Sequence, residues 1–224
     1  MENIYNILQW SASSHPEHAQ GYLEQHLQKC DVCVIERCTQ HHLDTITQHF
    51  PHVHKKKQFE NRYLITATHQ QPITAEFISL PSKEYGQQRS QSGSGALLTV
   101  LDHFTVLNFA TVWDNIELQI KDIEFMLDDV LRDHHRWLMV GDLHVEPVLP
   151  KSINDVLSQH DCTYDWTRDL ITFSQKRHNK SPQFKDMPPQ QYAVSHDRVI
   201  THNLTAQDFQ SHHKPFQGTQ SHWI

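Results

Sequence analysis

Apolar residues in this chain follow two spacings in turn, and that alternation restricts the fold more than any other property of the sequence. Asn3 to Trp10 mixes β-forming and polar residues as a strand does, and Pro16 to Lys29 then carries Ala19, Tyr22, Leu23 and Leu27 at helical spacing. Val32 to Ile35 makes a second strand, and Thr39 is placed to cap a short helix with Leu43, Ile46 and Phe50 on one face. The polar stretch Pro51 to Asn61 reads as a surface connection, and its Lys55-Lys56-Lys57 is the only strongly basic tripeptide in the chain. From Arg62 onward short β-runs follow: Tyr63 to Thr68, Ile73 to Leu80, Ala96 to Leu101 and Phe104 to Phe109. Ile116, Ile120, Ile123, Leu127, Val130 and Leu131 then line an amphipathic helix that delivers the chain into a strand at Trp137 to Val140. A short helix around Ser152 to Ser158, a β-run Leu170 to Phe173 and two last strands near Val199 and Phe216 complete the pattern. This order, with antiparallel hairpins between, favours a layered α/β fold over an all-parallel doubly wound one.

Length and composition bound the class. At 224 residues a single domain, 1–224, is the default. Hydrophobic residues at 37% with only 6 Gly and 10 Pro exclude collagen-like and low-complexity chains. No apolar run approaches the roughly 20 residues of a membrane span, and no signal peptide is recognisable, so a cytoplasmic address is expected. A net charge of −7 argues against holding nucleic acid by a broad basic surface and leaves room for local patches. The chain is rich in histidine, with 20 residues, one more than Lys and Arg together. Mild acidification therefore moves it from anionic towards cationic.

Four cysteines are too few for a disulfide scaffold of this size. Cys30, Cys33 and Cys38, with His41 and His42 nearby, have a spacing that admits zinc. The run from Asp31 to Ile35 reads more simply as a buried strand, in which cysteine is a small apolar residue.

Three short segments carry the chemistry. Val140-Gly-Asp-Leu-His144 follows a strongly apolar strand, so Asp142 sits at a strand's C-terminal end, where a sheet displays reactive side chains. Ser195-His-Asp-Arg-Val-Ile200 and Ser211-His-His-Lys-Pro-Phe216 each set acidic or imidazole groups beside a short β-run. If Asp197 accepts a hydrogen bond from one ring nitrogen of His213, the other becomes a charged donor able to bind and protonate a phosphate-ester oxygen. Asp142 is then the base that activates water.

In this order the motifs resemble the endonuclease/exonuclease/phosphatase superfamily, the metal-dependent fold of deoxyribonuclease I, abasic-site endonucleases and inositol-polyphosphate 5-phosphatases. The opening strand with Trp10 is similar to the family's first motif, and Asp31-Val-Cys-Val-Ile-Glu-Arg37 to its Asp-Val-Ile-x-Leu-Gln-Glu. Val106-Leu-Asn-Phe-Ala-Thr111 resembles the strand ending in Asn-Thr-His-Leu, Gly141-Asp-Leu-His144 the Gly-Asp-x-Asn signature, and Ser211-His-His-Lys-Pro215 the terminal Ser-Asp-His-x-Pro. The resemblance implies a four-layered α-β-β-α sandwich with two mixed, mainly antiparallel sheets. It also implies a divalent cation, Mg²⁺ or Mn²⁺, and a phosphate-ester substrate, with nucleic acid the first guess and an inositol phosphate the other.

Departures fall on positions that would handle metal or phosphate. Ser11 stands for the first Asn, Arg37 for the metal-binding Glu with Glu36 one residue early, Ala110 for a His, His144 for the phosphate-binding Asn and His212 for a metal-holding Asp. Asn108, Asp142, Asp197 and His213 match. A one-residue offset on a strand turns a side chain to the other face unless a bulge intervenes. Two routes follow. Glu36 reaches the site through a bulge and His212 or His144 adds nitrogen ligation, shifting preference from Mg²⁺ towards Mn²⁺ or Zn²⁺. Alternatively, Arg37 binds phosphate by paired hydrogen bonds in a pocket that holds an ester without cleaving it, which makes the chain a phosphate-ester or protein binding module. On the resemblance, the expected roles are catalytic for Asp142, His213 and Asp197, substrate-binding for Asn108, His144 and Arg37, and metal-binding for Glu36 and His212.

Overall fold

The computed structural model describes residues 4–11, 16–58, 61–85, 94–111, 115–142, 151–164, 197–204, 210–211 and 220–223. Along the chain these form β1 (Ile7–Ser11), α1 (Pro16–Leu27), β2 (Val32–Cys38), α2 (Gln40–His49), β3 (His52–Lys57), β4 (Tyr63–Thr68), β5 (Thr74–Ile78), β6 (Gly95–Val100) and β7 (Thr105–Ala110). There follow α3 (Ile116–Phe125), β8 (Trp137–Asp142), α4 (Lys151–Gln159), β9 (Thr163–Tyr164), β10 (Asp197–His202), β11 (Gln210–Ser211) and β12 (Gln220–Trp223).

Two six-stranded sheets result, ordered β11-β12-β1-β2-β4-β3 and β5-β6-β7-β8-β10-β9. Each contains one parallel pair, β1 with β2 and β7 with β8, and is otherwise antiparallel. Alternation along the strands creates three apolar layers. On the outside of the first sheet, Leu8, Trp10, Cys33, Ile35 and Ile65 meet Leu23 and Leu27 of α1 and Leu43 and Ile46 of α2. On the outside of the second, Leu107, Phe109, Met139 and Ile200 meet Ile123 of α3 and Ile153 and Leu157 of α4. Between the sheets lie Ile7, Val32, Val34, Phe104, Val106, Leu138, Val140 and Val199. The sandwich is therefore four-layered, α-β-β-α, as the motif resemblance implies.

Local signals account for the helix boundaries. The Thr39 hydroxyl accepts from the His42 amide at 3.3 Å and starts α2, as its sequence predicts. Asn115 Oδ1 caps α3 by accepting from the amides of Glu117 and Leu118 at 3.0 and 3.1 Å. The amphipathic run predicted to Leu131 is α-helical only to Phe125. It continues as a π-helical turn, Met126–Val130, closed by the Leu131 amide on the Met126 carbonyl at 2.9 Å. The stretch read as a surface connection from Pro51 contains β3, an edge strand whose exposed lysines conceal its alternation. The expected strands at Leu170 to Phe173 and near Phe216 lie outside the described residues.

Cys30, Cys33 and Cys38 pack as core residues behind the first sheet. Burial pushes the Cys33 and Cys38 thiols up, which keeps them protonated and works against the thiolate that zinc requires.

Candidate active site

The layer between the sheets changes character along its length. Its apolar residues are Ile7 of β1, Val32 and Val34 of β2, Leu101 and Phe104 beside β7 with Val106 on it, Leu138 and Val140 of β8 and Val199 of β10, and towards the C-terminal ends of β1, β2, β7 and β8 polar residues replace them. In the first sheet Gln9 lies beside Val34, which pairs with Thr66, and one step further position 11 lies beside Glu36. In the second sheet Asn108 lies beside Val140, which pairs with Val199, and one step further Ala110 lies beside Asp142, which pairs with Asp197. Asp142 and Asp197, far apart in sequence, thus occupy facing register positions at the ends of β8 and β10, two strands joined only by tertiary pairing.

The offset between Glu36 and Arg37 is resolved by the backbone. Ile35 pairs with Ile65 and Cys38 with Tyr63, so β2 carries one residue more than β4 over that interval. This is a β-bulge. Arg37 sits in it at φ 52°, in the left-handed region, where a side chain other than glycine is strained. Its amide donates to Gln58 Oε1 and its carbonyl accepts from Arg62 Nη1, each at 3.4 Å. Glu36 keeps the inter-sheet face of Val32 and Val34, while Cys38 returns to the helix-facing side with Cys33 and Ile35. Only 2% of Glu36 is exposed.

Asn108 joins the two walls. It is wholly buried, and its Nδ2 donates to the Ile65 carbonyl of the opposite sheet at 2.7 Å. Gly141, just before Asp142, has no room for a side chain: a Cβ there would stand 2.1 Å from the Phe109 carbonyl oxygen. The close approach of β7 and β8 therefore dictates the glycine of the Gly-Asp dipeptide.

Gln9 was not singled out by its sequence. It is 1% exposed, and neither atom of its amide has a hydrogen-bond partner among the described residues. The available signal was a polar residue on the face between Ile7 and position 11, while Trp10 turns to the helices and packs edge-on with His42 at 4.8 Å between ring centroids. An amide buried without partners is costly, by about 1–3 kcal/mol, and is tolerated where something other than stability selects it.

His144, His212 and His213 lie outside the described residues. Among the described residues, no group of three or more His, Cys, Asp or Glu is arranged to hold a metal ion, and no helix is long and apolar enough to cross a membrane.

No family model and no curated protein matches the sequence. Solved structures do match the fold. An endonuclease/exonuclease/phosphatase family protein from Leptotrichia buccalis superposes with a TM-score of 0.72 at 11% identity, over 98% of each chain. The 3′ phosphatase NExo from Neisseria, bound to a product DNA hairpin, gives 0.66 at 12% identity, again over 98% of both. TDP2 from D. rerio, complexed with a single-strand DNA product, gives 0.61 at 10% identity over 97% of each. At such identities the likeness is one of architecture, and it agrees with the order of the five motifs: this chain has the fold of the endonuclease/exonuclease/phosphatase proteins.

Proposed function

We propose that the chain is a divalent-metal-dependent phosphoester hydrolase, nuclease-like in its substrate, with a partly degenerate metal site. The observation that carries this reading is the bulge in β2, which keeps a buried carboxylate, Glu36, on the inter-sheet face at the end of the sandwich where Asp142 and Asp197 pair. Carboxylate oxygens suit a hard cation such as Mg²⁺ or Mn²⁺. Glu36 and His212 would hold it, and when bound it would neutralise charge developing on the phosphate. The neighbouring Arg37 guanidinium opposes a cation, which is why the site is read as degenerate and why Mn²⁺, more tolerant of nitrogen ligands, is favoured over Mg²⁺.

The chain's own groups supply the rest. Asp142 takes a proton from the attacking water, and Asp197 orients His213, which donates to the phosphate ester. His144 and Arg37 bind the non-bridging oxygens, Arg37 by paired hydrogen bonds. Asn108, whose amide is taken up by Ile65, assists them as a positioning residue that fixes the two walls.

Hydrolysis of bis(p-nitrophenyl) phosphate and of a labelled oligonucleotide tests the reading. Turnover is expected to be slow with Mg²⁺, faster with Mn²⁺, and to fall at least a hundredfold in Asp142→Asn and in His213→Ala. Vigorous Mg²⁺-dependent cleavage would overturn the degenerate site, and activity unchanged in Asp142→Asn would overturn the assignment of the base. Retention of oligonucleotide without any turnover would favour the binding-module reading, which the guanidinium at position 37 supports.

A further inference from the structure

In a chain of net charge −7, positive charge is concentrated at one edge of the sandwich. Strand β3 closes the first sheet and β5 closes the second, and both edges lie on the same side of the molecule. Lys55, Lys56 and Lys57 are all exposed on β3. The Lys56 ammonium lies 4.5 Å from the centre of the Phe77 ring on β5, bridging from one sheet to the other. Lys83, on the 3₁₀ turn Pro81–Tyr85, approaches the same ring to 5.8 Å, and its ammonium lies 3.4 Å from Ser79 Oγ. Lys55 stands 5.7 Å from the Tyr63 ring. None of these four lysines forms an ion pair among the described residues.

Both anchors of the arrangement are built in. The ring of Phe77 lies against Gly95, where a Cβ would approach it to 2.4 Å, so the start of β6 is shaped to accept the ring. The turn carrying Lys83 is fastened by the buried Asp122 of α3, whose Oδ1 accepts from the Ser82 amide at 2.8 Å. Lysines on an edge strand commonly guard against sheet-to-sheet aggregation, and Lys55 and Lys57 serve that purpose. That explanation does not reach Lys83, which belongs to no strand. Nor does it explain why two ammonium groups converge on one ring, where they repel each other unless an anion lies between them.

The position relates the strip to the candidate active site. Lys56 pairs with Leu64, and Leu64 lies on β4 between the partners of Ile35 and Cys38, level with Glu36 and the bulge. Phe77 pairs with Leu97, which pairs with Asn108, in the row just below Asp142. Three strand spacings of about 4.8 Å separate β5 from β8, so the strip lies about 14 Å across the sheet from the strand that carries Asp142, at the same end of the sandwich. That distance corresponds to about four nucleotides of a B-form strand.

We propose that Lys56 and Lys83 over Phe77 form a docking strip for the phosphate backbone of a nucleic acid whose reactive phosphate lies at the end of the sandwich that carries Asp142. The proposal rests on the phosphoester-hydrolase reading for that last point, and on charge and geometry for the rest. The strip binds backbone and not bases, because the two ammonium groups lie over the Phe77 ring on which a base would stack.

Fluorescence anisotropy of a labelled 12-nucleotide single strand, in EDTA and over a range of salt, tests the strip without hydrolysis. Lys56→Gln with Lys83→Gln is expected to weaken binding five- to tenfold and to make the slope of log K against log salt shallower by about 1.4, the loss of two phosphate contacts. Lys56→Arg with Lys83→Arg is expected to restore both. Thermal unfolding of each variant should match the parent, since the substituted side chains are exposed. Turnover of bis(p-nitrophenyl) phosphate, too small to reach the strip, is expected to be unchanged in the Gln pair. Equal oligonucleotide binding by parent and Gln pair, or no binding by either, would overturn the strip whatever the hydrolysis assay shows. Absence of hydrolysis alongside a charge-dependent loss of binding would support the strip and overturn the hydrolase. Lysine-dependent binding to vesicles containing phosphatidylserine, with none to the oligonucleotide, would assign the surface to a membrane and overturn the proposal.

Discussion

The two ends of the layer between the sheets are built from the same four strands and follow opposite rules. At one end Ile7, Val32, Phe104, Val106 and Leu138 exclude water and join the sheets by area alone. At the other, Gln9, Glu36 and Asn108 are as thoroughly buried yet contribute polar atoms, and the Gln9 amide has no partner among the described residues. The first arrangement maximises stability; the second gives some of it up, as catalytic and binding sites commonly do. The apolar end acts as a clasp that lets the polar end remain strained.

Breaking the clasp should have the largest effect. Phe104→Ala removes a ring that is 5% exposed and packs on Tyr5 at 4.8 Å, and it should cost about 3–5 kcal/mol in urea unfolding. A loss below 1 kcal/mol would mean that the outer helix-facing cores hold the sheets in place without it. The next effect depends on pH and belongs to an outer layer. Asp122 is fully buried, and desolvation pushes its carboxyl from the ordinary 3.8 up to about 6, against the opposing hydrogen bond from Ser82. Below pH 4 the group is protonated in folded and unfolded chains alike. Between pH 4 and 6 the unfolded chain loses the proton while the folded chain keeps it, so stability falls as pH rises, by up to about 3 kcal/mol, and levels off above pH 6. Urea titrations of the parent and of Asp122→Asn should differ in that window, the variant lacking the slope. The smallest change sharpens the contrast directly. Gln9→Leu replaces an unpartnered amide with an apolar side chain of similar size and should stabilise the fold by about 1 kcal/mol, at the expense of whatever the polar end does. Destabilisation instead would show that the amide is satisfied by water or by residues beyond those described.

Much of this architecture is legible in the sequence because alternation and helical spacing are forced by burial. Strands β1, β2 and β4 to β8 and the cap at Thr39 follow from local chemistry. β3 does not: an edge strand pairs on one side only, and its lysines satisfy solvent on both faces, so its sequence looks like a loop. Asp122 is equally invisible, since a carboxylate within an amphipathic helix is normally on the wet side, and only the turn packed over α3 makes this one buried. At the candidate site, the motif order implies that the strand ends carrying Asp142 and Asp197 meet, and the two positions lie opposite each other in the backbone register of β8 and β10. The ambiguity between Glu36 and Arg37 could be posed from sequence but not decided, because a bulge is a property of two strands and only one of them carries the motif. The same limit hid Gln9, whose burial depends on the facing sheet.

The extra residue in β2 acts as a phase shift in a two-letter code. Before it, even-numbered positions 32, 34 and 36 belong to the inside of the sandwich; after it, even-numbered Cys38 belongs to the outside. Two rulers laid on this strand, one counted forward from Asp31 and one counted back from Cys38, therefore disagree by one place about where an inward-facing residue belongs. Sequence alignment of such a strand with its structural relatives should be scored by face and not by ordinal position. A variant that deletes Arg37 would bring the two rulers back into step: β2 would alternate without interruption, Glu36 still facing inward and Cys38 still facing the helices, with the bulge opposite β4 removed.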